Sequence, residues 1–76
     1  MKAYMLITIH TGQIEQVVEH LRRVDGVIEA NMAFGPYDAV AVVEAEDIKA
    51  LGKTMATDIQ PIPGVLDTLT CLVVDD

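Results

Sequence analysis

The sequence predicts a single α+β domain, residues 1–76, with its elements in the order βαββαβ. Three observations lead there. Apolar residues follow a helical spacing in two stretches and form short β-type runs elsewhere. A short Gly-Pro connection joins two of those runs, which makes them antiparallel neighbours. The corner VDGVIEA (24–30) also returns as IPGVLDT (62–68), so each half reads strand, helix, glycine corner, strand.

The elements follow in order. Residues 3–9, AYMLITI, are apolar and partly β-branched, as a strand requires. HTGQ (10–13) interrupts the run, and Thr11 is the expected N-cap of the first helix. Ile14, Val17, Val18, Leu21 and Val24 fall on one helical face, with Glu15, Gln16, Glu19, Arg22 and Arg23 mostly outside. Asp25-Gly26 stops that helix. Residues 27–34 form a second strand, Gly35-Pro36-Tyr37-Asp38 a type I turn, and 39–44 a third strand.

Glu46-Asp47 suit the positive end of a second helix, whose apolar face is Ile48, Leu51, Met55 and Ile59. Gly52, on the same side, implies a close neighbouring backbone. PIPG (61–64) ends the helix, and a last strand runs from Val65 to about Val74, before a solvated Asp75-Asp76 tail. With right-handed crossovers the two halves interleave into a four-stranded antiparallel sheet with both helices on one face. That is the ferredoxin-like plait.

Composition then bounds what such a plait does. A chain of 76 residues with one cysteine, Cys71, forms no internal disulfide. Cys71, in an apolar strand, reads as a small buried hydrophobe. Met5, Met32 and Met55 read as core or interface filling. There is no CxxC and no histidine pair at ligand spacing, so no structural metal is expected, and His10 and His20 read as solvent-facing. Self-association is the remaining way to stabilise so small a domain. Hydrophobic residues make up 51% of the chain, and strands 3–9 and 39–43 carry almost no polar residue on either parity. A second copy of the sheet is the economical cover, so at least a dimer through the sheets, of the dimeric α/β barrel type, is expected.

The net charge is −7, with five basic residues (Lys2, Arg22, Arg23, Lys49, Lys53) that form no stripe, which argues against nucleic acid as a direct partner. No apolar run reaches membrane-spanning length and no secretory h-region opens the chain, so a cytoplasmic location is expected. No nucleophile stands beside a base, and no catalytic residue is assigned.

With these pieces in place, the chain resembles the effector-binding (RAM) domain of the Lrp/AsnC, or feast/famine, transcription regulators over about residues 3–74. VDGVIEA at the first corner, FGPYDAVAVVEAED across the hairpin and IPGVLDTLTCLVV at the end carry the likeness. The first strand begins at residue 3 and leaves no helix-turn-helix, so a stand-alone effector domain without DNA binding is expected. The resemblance implies pairing through the sheets, dimers gathered in a ring of eight or so, and co-assembly with a full-length regulator. It implies a small effector, usually an amino acid, bound between dimers, with no cofactor.

Site residues follow from chemistry and likeness together. An amino acid needs a carboxylate for its ammonium and donors for its carboxylate. Asp38 is the candidate ammonium partner, Gly35 exposes backbone, and Tyr37 offers a wall; the plain alternative is that Asp38 caps its own hairpin. Asp58, Thr68 and Thr70 match positions that line the family's pocket, and Thr54 is a weaker match. Thr54 and Asp58 are four apart on one helical face, while Thr68 and Thr70 are two apart on one strand face. Both threonines also suit an ordinary strand. An ACT-like amino-acid-binding domain, with its ligand near Gly12 in loop 10–14, is the alternative. A small plait-fold enzyme, with His10 as its one proton shuttle, stands further off.

Overall fold

In the computed structural model, which describes residues 1–75, the N-terminal apolar run forms β1 (Lys2–Ile9) near the middle of a four-stranded sheet. Around it come α1 (Ile14–Leu21), β2 (Val27–Met32), β3 (Ala39–Glu44), α2 (Ile48–Thr54), a π-helical turn (Met55–Ile59) and β4 (Val65–Leu72). The strand order is β2-β3-β1-β4, with all three neighbouring pairs antiparallel. This is the ferredoxin-like plait.

Side chains alternate across a strand, so one parity of each makes the core. Ala3, Met5, Ile7 and Ile9 of β1 and Ala39, Ala41 and Val43 of β3 are buried against Val17, Val18 and Leu21 of α1, with Leu51, Ile59 and Ile62. Alanine at three of these sheet positions leaves room for the larger helix side chains. Burying each of the bigger aliphatic side chains stabilises the fold by about 1.5–3 kcal/mol.

The helix boundaries differ in detail from expectation. Gln13, not Thr11, holds the cap position of α1 and makes no side-chain capping bond. Backbone bonds do that work: Gln13 N–H donates to His10 O at 3.0 Å and His10 N–H to Gly64 O at 2.8 Å. Asp47 does cap α2, accepting from Ala50 N–H at 2.8 Å. Ile48 is not on the buried face; it is 59% exposed, because the first turn of α2 stands clear of the core. Gly52 has no close neighbour either, since a Cβ there would meet nothing within 4 Å. After Thr54 the helix widens, and Gln60 N–H donates to Met55 O at 2.9 Å across a π turn.

Two strands are shorter than expected, β2 ending at Met32 and β4 at Leu72, while β3 keeps its expected bounds and β1 gains Lys2. Met32 is exposed rather than core, at the last paired position of β2, opposite Ala39. The face away from the helices carries Tyr4, Leu6 and Thr8, Val40 and Val42, and Leu69 and Cys71. Tyr4 lies opposite Cys71 and Leu6 opposite Leu69. Cys71 is therefore exposed, not buried: the register puts it on the open face. Asp75 is exposed, and the tail expectation for Asp76 lies outside the described residues.

Candidate functional site

The helix-facing positions of β1 and β3 are all apolar. On β4 the pattern breaks. Thr68 is the register partner of Ile7 and Thr70 of Met5, so both threonines face the helices, and both are half-buried. The π turn brings two side chains onto them. Thr70 Oγ1 lies 3.3 Å from Met55 Sδ, and Gln60 Nε2 donates to Thr68 Oγ1 at 3.4 Å. A recess of 260 Å³ opens here between Gln60, Val65, Leu66, Asp67 and Thr68. One Asp67 carboxylate oxygen accepts Thr68 N–H at 2.9 Å and so shapes its rim.

Gln60 was not among the sequence candidates. Its place depends on a π turn, and no spacing in the chain announces one. The same turn interrupts the 3.6-residue period on which a shared Thr54–Asp58 face relies. Thr54 ends α2 half-buried, whereas Asp58 is exposed in a different groove, of 440 Å³, with His20, Arg23, Asp25 and Ile62 among its walls. Thr57 Oγ1 donates to Lys53 O at 2.6 Å and approaches Asp58 Oδ1 at 3.3 Å. Charges in this groove are exposed, and the Arg23–Glu19 pair at 3.9 Å contributes little to stability.

The connection is a longer loop than the expected type I turn at residues 35–38, and the Asp38 N–H that would close that turn on Gly35 O goes to Ile7 O instead. Residues 33–38 connect β2 to β3, and Ala33 N–H donates to Asp38 O at 3.0 Å to close the loop. Gly35 has φ +146°, a conformation that favours glycine. Tyr37 and Asp38 are half-buried.

The Asp38 side chain braces β1 rather than its own hairpin. Its N–H donates to Ile7 O at 2.9 Å, and its Oδ2 accepts from Ile9 N–H at 2.7 Å. The cause is local. β3 begins at Ala39 opposite Ile7, so Ile9 lies beyond the last pair and its N–H needs another acceptor. Asp38→Ala is expected to lower stability by about 1.5–3 kcal/mol without any ligand, as loss of a charge-assisted bond does. Asp38→Asn, which keeps an acceptor oxygen, should recover part of that. Urea unfolding measures both, and an alanine variant as stable as the parent would refute the brace.

Ile7 thus links the hairpin to the threonines: it accepts from Asp38 on one side and pairs with Thr68 on the other. Gly35, Tyr37 and Asp38 nonetheless line neither the Thr68 recess nor the Asp58 groove. His10 and His20 are both exposed, as expected. Among the described residues no cluster of three or more His, Cys, Asp or Glu side chains is placed to hold a metal, and no helix is long and apolar enough to cross a membrane.

Comparison with known proteins identifies the family. A family model described as the Lrp/AsnC ligand-binding domain matches residues 2–76. The HTH-type transcriptional regulator Ptr1 of Methanocaldococcus jannaschii is 32% identical over 63 residues, which cover 83% of this chain and 43% of that protein. The matched stretch therefore spans less than half the length of that relative. TTHA0845 from Thermus thermophilus superposes with a TM-score of 0.93 at 28% identity, over 99% of this chain and 94% of that one. The hypothetical protein PHS023 from Pyrococcus horikoshii gives 0.91 at 27% identity, over 99% and 90%. Matched along nearly its whole length, the chain belongs to the Lrp/AsnC ligand-binding domain family, a regulatory module of transcription regulators and not an enzyme family.

Proposed function

We propose that this domain senses an amino acid or a closely related metabolite through the threonine row of β4 and transmits its presence through assembly. One observation carries the reading: hydroxyls of Thr68 and Thr70 occupy the helix-facing side of a sheet that is otherwise apolar there, and both remain half-exposed. Hydroxyls in a shallow recess suit an amino-acid carboxylate or a polar side chain. The Asp38 bond to Ile9 uses Oδ2, and a carboxylate has a second oxygen to offer an ammonium.

In a single chain the hairpin and the threonines lie on opposite sides of β1 and line separate recesses. That arrangement supports an effector site completed by another copy, between dimers joined through their open sheet faces. Thr54 and Asp58 line no part of the Thr68 recess in a single chain, Asp58 facing the separate 440 Å³ groove, and both are left out of the proposed lining. Assembly of such dimers into a ring, or with a full-length Lrp/AsnC regulator, would couple the effector to transcription. A chain of net charge −7 without a basic stripe has no evident means of holding DNA itself. The family match favours this site over the ACT-like alternative in loop 10–14.

A thermal-shift screen of the twenty standard amino acids tests the proposal. A ligand at a hundredfold excess over its Kd adds about 2.7 kcal/mol, which raises Tm by several degrees in a domain of this size. Replacing Thr68 and Thr70 together by valine should remove that shift while keeping strand shape. A flat screen on the unaltered protein rejects the proposal.

A further inference from the structure

The π turn and the threonine row are held together by the same two residues. Gln60 N–H closes the turn on Met55 O at 2.9 Å. The Gln60 side chain reaches Thr68 at 3.4 Å and the Met55 sulfur lies 3.3 Å from the Thr70 hydroxyl. Each hydroxyl is therefore already engaged by one end of the turn. The Gln60 contact is long for a hydrogen bond and a thioether is a weak acceptor, so a better partner displaces either at small cost. A molecule that takes the two hydroxyls takes them from Gln60 and Met55.

The two displaced groups differ in what they then do. Met55 is half-buried and offers a soft, apolar contact. Gln60 is exposed, and its carboxamide both donates and accepts. It also borders the recess that Asp67 and Thr68 share. We infer that Gln60 is the specificity-determining residue of this site: released from Thr68, its carboxamide turns onto the side-chain group of the effector. With the Asp67 carboxylate on the same rim, the recess takes an amino acid whose side chain is polar and neutral or cationic, and disfavours an acidic one. This inference rests on reading the threonine row as the effector site.

The test uses the intact chain, with the twenty standard amino acids as probes, first by thermal shift and then by calorimetric titration of those that respond. Gln60→Glu adds a second carboxylate to the rim and should weaken neutral effectors about tenfold relative to basic ones. Gln60→Leu removes the carboxamide and should weaken polar effectors by a similar factor. Gln60 is exposed, so both unliganded variants should melt close to the parent. If both bind every responding amino acid in the parent's order and within ~twofold of its affinity, Gln60 does not set specificity. If an acidic amino acid is the strongest ligand of the parent, the chemistry assigned to the rim is wrong. A parent that responds to no amino acid removes the effector reading itself, and this inference with it.

Discussion

Gly26→Ala should destabilise the domain by about 3 kcal/mol, more than its counterpart Gly64→Ala. Gly26 has φ +95°, where an L side chain is strained, and a Cβ there would stand 2.9 Å from the backbone oxygen of Glu44. That oxygen has little freedom to retreat, because the N–H of Glu44 is bonded to Gly26 O at 2.7 Å. Strain and overlap each cost about 1–3 kcal/mol. Gly64 has φ +103°, and its Cβ would meet Val17 Cγ2 at 2.9 Å and Gln13 Cβ at 3.2 Å. Those are side-chain atoms, which yield more readily than a carbonyl. A change of about 3 kcal/mol lowers Tm by more than about 10 °C in a domain of this size. Chemical denaturation ranks the two variants, and the reverse order would refute this account of the corners.

A charge on the open sheet face should dissociate the proposed sheet-paired dimer. Leu69 is 50% exposed in the single chain and lies opposite Leu6, beside the Tyr4–Cys71 pair. In a two-fold dimer through this face each substitution appears twice. Leu69→Asp would place two carboxylates in an apolar contact, at a cost of several kcal/mol. About 4 kcal/mol corresponds to roughly a thousandfold in Kd. The parent should sediment as a dimer or larger at micromolar concentration, and Leu69→Asp as a folded monomer, since the core lies on the other face. A parent that is a stable monomer would sink the sheet-pairing proposal.

Much of the fold was legible in the chain because two periods and two glycine corners carry it. The repeat of Gly26-Val27 in Gly64-Val65 marks places where backbone conformation restricts the choice of residue. The i, i+3, i+4, i+7 spacing of Ile14, Val17, Val18 and Leu21 marks a face that must be buried. What escaped was decided by contacts distant in sequence. Both parities of β4 are largely apolar, so only pairing with β1 shows that Cys71 faces outward and Thr70 inward. Ile48 satisfies the period of α2, yet the core stops one turn short of it. Asp38 finds its partner at Ile9, 29 residues away, where β3 runs out before β1 does. The candidate site was half legible: alternate threonines on a strand declare a shared face, but Gln60 reaches them only through a turn one residue wider than the helix before it.

Arg22 has a consequence for solubility. Its Nε donates to the carbonyl of Ala30 at 2.9 Å, on β2, one of the two strands that border the sheet. That carbonyl is an acceptor that a foreign strand would otherwise recruit. Strand-by-strand growth recruits such border acceptors, and here a guanidinium occupies one of them. The guanidinium thus hinders pairing at this border while leaving the open apolar face free to meet a partner.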